Sequence, residues 1–212
     1  MRIAAIGDVC GQPGLLTLEK NLRLLRRQEG VHFIVVNGEN ASMRGITPKQ
    51  ARWIFDAGAD VITLGNHAYA QRSICDYLDD GDPIIRPHNL APQLAGTGFC
   101  HVDHNGVDIC VINLLGRLNM DFRTSDPFET ADRLLKQEKA DIFLVDFHAE
   151  ATGEKRSMGF YLDGRVSSLF GTHTHVQTAD ETILPRGTGY LTDAGMTGPI
   201  DSVLGVKKEL TI

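Results

Sequence analysis

A chain of 212 residues is long enough to bury a substantial core and fits one domain, or one and a half. Hydrophobic content of 42% and charged content of 23% suit a soluble globular protein, and nothing reaches the roughly 18 apolar residues of a membrane span, so a membrane partner is excluded and the expected location is cytoplasmic. With Lys+Arg at 21 and Asp+Glu at 27, the net charge of −6 argues against a sequence-independent binder of polymeric nucleic acid, though not against small phosphorylated substrates.

Arg2 to Ile6 is a short apolar run suited to a strand, and it ends at Gly7-Asp8. Beyond the turn Val9 to Gly14, Leu15, Leu18, Leu22 and Leu25 recur near the helical period, a core-facing stripe. Val31 to Asn37 reads as a buried strand ending at Gly38-Glu39-Asn40. Thr47-Pro48 supplies an N-cap and a first-turn proline for a helix through about Ala57, with Trp53 in the core. Asp60 to Leu64 is a third strand and ends at Gly65-Asn66-His67. This strand–helix–strand–helix–strand order predicts an α/β fold with parallel strands.

Ile84 to Asn89 reads as a short strand entering a loop. Phe99–Val102 and Val107–Leu114 pair as a hairpin around His104-Asn105-Gly106, a type I′ turn signal. Asp126-Pro127 opens a helix through about Lys139, and the strand Asp141 to Phe147 ends at His148-Ala149-Glu150. Ser167 to Gly171 leads into Thr172-His173-Thr174-His175, and Thr188 to Leu191 into Thr192-Asp193. No repeat, low-complexity tract or linker interrupts the chain, which predicts one domain over residues 1–212. Cys10, Cys75, Cys100 and Cys110 show no metal-type spacing and read as free thiols.

In open α/β sheets, sites form outside the carboxyl ends of the strands. The strand ends here carry Asp8, Glu39, Asn40, Asn66, His67, His148, His173 and His175. His173 and His175 project to one side if the backbone stays extended. A donor set of carboxylate, amide and imidazole without thiolate suits Fe, Mn or Zn. One carboxylate able to bridge, flanked by oxygen and nitrogen donors, is what two ions about 3.5–4 Å apart require.

The stretches IGDVCG (6–11), NGENA (37–41), GNHAY (65–69), DFHAEATGEK (146–155), GTHTHVQTAD (171–180) and TDAGMTGP (192–199) resemble the motif set of calcineurin-type metallophosphoesterases, and within them the YmdB-like bacterial phosphodiesterases. The likeness runs from Met1 to about residue 208, where relatives continue with further strand-rich sequence. Cys10 stands where most calcineurin-type enzymes have histidine, and Glu39 where they have a bridging aspartate; the YmdB-like branch shares both. The resemblance implies a layered metallophosphoesterase-type α-β-β-α sandwich with mixed sheets and the active site at the C-terminal ends of the strands. It implies that Asp8, Asn40 and His175 hold one ion, that Asn66, His148 and His173 complete the second, and that Glu39 bridges them. His173 and His175 are thus expected to divide between the ions. His67 is implied as proton donor to the leaving oxygen, iron or manganese as the metal with zinc as an alternative, and a small phosphodiester such as a 2′,3′-cyclic nucleotide as substrate. RNA is a further candidate partner, and self-association into a homo-oligomer is expected from the resemblance alone.

Rival readings are a phosphomonoesterase or nuclease on the same scaffold, and a non-catalytic nucleotide- or RNA-binding regulator. Arg86, His88 and Arg165 are weak candidates for substrate contacts. Glu150, Asp180 and Asp193 could orient ligating imidazoles, and serve equally well as caps and turns. His32, His101 and His104 read as surface residues.

Overall fold

The structure, a computed structural model, describes residues 1–121 and 123–212. Two β-sheets pack face to face, each with helices on its outer side. The first sheet is parallel, with strand order β1 (Ile3–Ile6), β3 (Phe33–Asn37), β4 (Val61–Thr63) and β5 (Ile84–Ile85). The second is mixed, in the order β10 (Thr182–Ile183), β11 (Gly189–Leu191), β9 (Ser168–Thr172), β8 (Ile142–His148), β7 (Val107–Leu115) and β6 (Phe99–His104). Its central strands run parallel, and β6 and β10 are the antiparallel edges. A short parallel pair, β2 (Asp8–Val9) with β12 (Met196–Thr197), ties the end of the chain to its start.

Alternation along the strands sets the layers. On β3, Phe33 and Val35 face the other sheet; beside Val61 and Ile85 of their own sheet, they meet Ile109, Val111, Leu144 and Phe170 of the second. Ile34 and Val36 point outward, against Leu15, Leu18 and Leu22 of α1 (Gly11–Gln28) and Ala51 and Ile54 of α2 (Pro48–Ala57). On the other side, Cys110, Ile112, Val145 and Phe147 pack on α4 (Pro127–Gln137) and α5 (Thr152–Leu162). The expected α-β-β-α order follows: the central strands β3, β4, β8 and β9 are covered on both faces and are largely apolar, whereas the edge strand β6 carries exposed polar residues.

Local signals set the boundaries. Thr47 and Gln50 form a reciprocal capping box at α2, and the Asp126 side chain accepts from the N–H groups of Phe128 and Glu129 at α4. Asn105 (φ 56°) and Gly106 (φ 84°) make the β6–β7 turn left-handed, as a type I′ hairpin requires. Helix α5 follows no clear apolar period, because its buried face includes Glu154 and Lys155 as well as Met158 and Leu162. The short α3 (Ile74–Leu78), the strand β10 and the β2–β12 pair are too short to carry a readable sequence pattern. Among the described residues no helix is long and apolar enough to cross a membrane.

The inter-sheet layer should dominate stability. Replacing Phe33, which is fully buried there, with alanine is expected to cost about 3–5 kcal/mol, against about 1 kcal/mol for loss of the Thr47 cap. Chemical denaturation with an unchanged slope would check both; a smaller cost for Phe33→Ala would mean the layer is not the principal core.

Candidate metal centre

The inter-sheet face changes character at the carboxyl ends of the strands. Two residues beyond Val35, Val61, Leu144 and Phe170, the same face carries Asn37, Thr63, Asp146 and Thr172. All are fully buried, and the Asp146 carboxylate accepts from Asn37 Nδ2 (3.0 Å), Thr63 Oγ1 and Thr172 Oγ1 (2.6 Å). This polar layer is the floor of the site.

His148, one further alternation along β8, stands on that floor. The Thr172 hydroxyl gives its proton to Asp146 and so accepts from His148 Nδ1 at 2.9 Å. That leaves the Nε2 lone pair facing Asn66 Oδ1 at 2.9 Å, Glu39 Oε1 at 3.1 Å and His173 Nδ1 at 3.1 Å. His173 Nε2 in turn meets Glu150 Oε2 at 3.2 Å, which turns its Nδ1 lone pair inward. Gly65 is required here, since a Cβ would collide with both Glu39 Oε2 and His148 Nε2.

Asp8, Asn40 and His175 form a second group beside the first. Asn40 brings its amide to 2.9 Å from His175 Nε2, and Asp8 Oδ1 lies 3.9 Å from the same nitrogen. His175 Nδ1 donates to Leu204 O at 3.0 Å, so Nε2 carries the lone pair, which accepts from Asn40 Nδ2. Glu39 touches both groups, accepting from Asn40 Nδ2 at 3.3 Å through the Oε1 that faces His148.

The two histidines do not sit on an extended strand. β9 ends at Thr172, and His173 (φ 101°) and His175 (φ 64°) are left-handed, a conformation that costs roughly 1–3 kcal/mol per non-glycine residue. Surrounding bonds hold it. His173 N–H donates to Asp8 Oδ2 (3.1 Å), and the Thr174 N–H and hydroxyl both donate to Asp193 Oδ2. Asp193 is locked in turn by the fully buried Lys155 at 2.6 Å. The turn swings the rings apart, His173 into the first group and His175 into the second.

The electrostatics test whether cations fit. Asp8 Oδ1 is buried without any hydrogen-bond donor. Burial raises the Asp8 carboxyl, with Glu39 adding to the effect. Burial would raise Glu39 as well, but His148 and the His67 N–H hold it well below the usual carboxylate range. On His148 burial opposes charge, yet Glu39, Asp8 and Asp146 together push its pKa up. The cluster therefore demands positive charge, and Glu39, His148 and His173 bring donor atoms within 4.8 Å of one another. A proton on His148 meets part of the demand; a metal ion meets it without leaving lone pairs opposed. The residues fit cations.

Other predicted residues fall differently. His67 lies half-buried at the rim, its N–H on Glu39 Oε2 (3.1 Å) and its Nδ1 3.4 Å from Asn66 Nδ2. Arg86 is not a substrate contact: it is buried, and its guanidinium donates to the carbonyls of Pro87 and Leu94. His88 packs edge-on against Phe99 in a cavity shared with Arg86 and Arg133, away from the two groups. Arg165 precedes β9, at the opposite end of the sheet, and is paired with Asp132 at 2.6 Å. Of the candidate orienting acids, Glu150 reaches a ligand-type imidazole, Asp193 holds the loop between two of them, and Asp180 accepts from Thr178 and Thr192. Sequence reasoning missed Asp146, Thr172 and Lys155. Asp146 and Thr172 were discoverable as neighbours of ligand-type positions at the ends of β8 and β9; Lys155 had no such signal.

Comparison with known proteins points the same way. A family model described as YmdB-like protein matches residues 4–212. The 2′,3′-cyclic-nucleotide 2′-phosphodiesterase of Bacillus subtilis (strain 168) is 45% identical over 215 residues, covering 100% of this chain and 81% of that protein. Among solved structures, a hypothetical protein from Thermus thermophilus superposes with a TM-score of 0.93 at 43% identity, covering 99% of this chain and 82% of the other. A structure described as a novel phosphatase from Mycoplasma pneumoniae has a TM-score of 0.92 at 35% identity, covering 99% and 77%.

Replacing Thr172 with valine keeps the shape and removes the hydroxyl that fixes the His148 tautomer. Metal affinity is expected to fall by about 10–100-fold, read by competition with a chelator. Unchanged affinity would show that Thr172 does not orient the imidazole.

Proposed function

The chain belongs to the YmdB-like protein family, and we propose that it is a dinuclear metal-dependent phosphodiesterase acting on 2′,3′-cyclic nucleotides. The observation that carries this reading is the convergence of Glu39, Asn66, His148 and His173 on one point, with Asp8, Asn40 and His175 alongside. Asp8, Asn40 and His175 would hold one cation, and Asn66, His148 and His173 the other, with Glu39 between them. The nitrogen and oxygen donors favour iron or manganese, with zinc as the alternative. When bound, such a pair supplies Lewis-acid polarisation of the phosphoryl oxygens and a more acidic water.

The chain's own residues supply position and a proton. Asn66 serves both functions through one amide: Oδ1 faces His148, so Nδ2 faces His67 Nδ1 and donates to it. The proton of His67 is thereby placed on Nε2, the nitrogen available to a substrate. Burial lowers the His67 pKa, with Arg44 adding to the effect and the Glu39 carboxylate opposing it. As water adds to phosphorus and the P–O bond to the ribose breaks, the departing oxygen takes the proton from His67 Nε2. The tie from the His67 N–H to Glu39 keeps this donor in register with the bridging carboxylate.

Metal analysis of the purified protein, paired with a 2′,3′-cyclic nucleotide hydrolysis assay, tests the reading. Two ions per chain and chelator-sensitive turnover are expected; a strong preference for p-nitrophenyl phosphate over its bis ester would favour a phosphomonoesterase instead. His67→Ala is expected to lower turnover of the cyclic nucleotide by about 10²–10⁴-fold while sparing bis-p-nitrophenyl phosphate, whose acidic leaving group needs no proton. Equal losses on both substrates would remove His67 from the role of acid. His173→Ala and His175→Ala should each retain one ion of the two; loss of both ions from either variant alone would contradict the division of the histidines.

A further inference from the structure

On the His67 side the site opens into a basic cavity. Its volume is about 590 Å³, and Arg44 and Arg123 line it together with Asn66 and His67. No aspartate or glutamate is among the lining residues. Among the described residues the arginine ion pairs are those of Arg2, Arg26, Arg117, Arg165 and Arg186, so Arg44 and Arg123 carry unpaired charge. In a chain of net charge −6, two free guanidinium groups on one cavity reverse the local field.

The backbone that presents them is fixed although the side chains are exposed. Ser42 N–H donates to Gly45 O at 2.9 Å, and Gln71 Nε2 donates to Arg44 O at 3.0 Å. Gly45 (φ 80°) lies so close to Gln71 that a Cβ would sit 3.0 Å from its backbone nitrogen. Two residues beyond Arg123, Ser125 is stitched to the buried Asn89 by bonds of 2.9 and 3.1 Å. The cavity also has an apolar side of Tyr69, Leu90 and Leu94, with the Tyr69 hydroxyl anchored on Ala95 O at 2.6 Å.

The proton donor faces the leaving oxygen, so the nucleoside that bears this oxygen must lie on the His67 side. Its reacting phosphate is claimed by the carboxylate, amide and imidazole donors across Asn66. The arginines therefore address a different anion. A base fits against Tyr69 and the leucines, and the planar forks of arginine match the oxygens of a phosphate attached at the far end of the ribose. Resting on the reading of His67 as proton donor, we infer that Arg44 and Arg123 form a second phosphate subsite, so that the preferred substrate is the cyclic-phosphate end of an RNA strand rather than a free cyclic mononucleotide. The reaction is unchanged: water adds, one P–O bond breaks, and the ribose oxygen leaves protonated.

The test compares kcat/KM of the metal-loaded protein on adenylyl-adenosine ending in a 2′,3′-cyclic phosphate with that on adenosine 2′,3′-cyclic monophosphate. The dinucleotide is expected to be favoured by about tenfold or more, equivalent to ~1.4 kcal/mol of transition-state binding. Arg44→Ala and Arg123→Ala should each reduce this ratio, and the double variant should bring it near one at unchanged metal content. A ratio near one in the unaltered protein, or a ratio that survives the double substitution, overturns the inference. Turnover of neither substrate overturns the phosphodiesterase reading and the subsite with it, whereas turnover of both at equal efficiency overturns the subsite alone.

Discussion

The buried carboxylate of Asp146 is the constraint on which the site depends. It lies between two sheets that otherwise meet through side chains such as Phe33, Leu144 and Phe170. An ionised group in such a place is costly unless hydrogen-bonded. Burial raises its pKa, and the donors Thr172, Thr63 and Asn37 oppose that rise. Two of these donors belong to the first sheet and one to the second, so the carboxylate fixes how far one sheet is shifted along the other. A slip by one residue would turn the polar layer into the helix-facing core and leave Asp146 unpaired. The same atoms fix the proton on Thr172, and through it the nitrogen that His148 turns toward Asn66 and Glu39. Sheet packing and donor geometry are therefore one problem.

Strain is concentrated on the opposite wall. Two left-handed histidines in one loop would relax in an isolated peptide. Here the loop is bolted from below by Asp193, which binds Lys155 as well as Thr174 and the N–H of Gly195. Removing one partner of this buried pair would leave the other charge uncompensated, a far larger penalty than the strain it restrains. The helix α5 that carries Lys155 thus gives up an apolar core position to hold a loop. That exchange explains its weak amphipathicity.

Much of this was legible in the sequence, for identifiable reasons. Strands buried on both faces read as apolar runs, and the caps at Thr47 and Asp126 and the turn at Asn105-Gly106 mark boundaries by local chemistry alone. The chain deposits its polar residues immediately after those runs, so the position of Asp8, Glu39, Asn40, Asn66, His67 and His148 at one end of the fold follows from strand direction. What depends on contacts between distant segments was not legible. The Leu204 carbonyl that sets the His175 tautomer is 29 positions away and has no side-chain signature. Arg86 looks like a phosphate contact until its own loop is seen to fold back over it, and Arg165 until strand direction places it at the far end of β9.

Cys10 shows why a donor set cannot be read from residue type alone. It lies beside the cluster, and a thiolate there would be a strong ligand. Burial pushes the thiol up to about 12, with Asp8 and Glu39 adding to the effect, so it stays protonated in their field. Its sulfur is nearer His175 Nδ1 (3.6 Å) than Nε2 (3.9 Å), on the side where the ring is bound to Leu204. Cys10 therefore buttresses the imidazole from behind and leaves Nε2 toward Asp8 and Asn40. Gly198 and Gly205 close on its Cβ, at 2.9 and 3.3 Å from where their own would be, so the last described segment wraps the cysteine rather than leaving it open to the cavity. The compact thiol, the two glycines and the Leu204 carbonyl form one arrangement that aims His175, and a change in any of them would have to be met by the others.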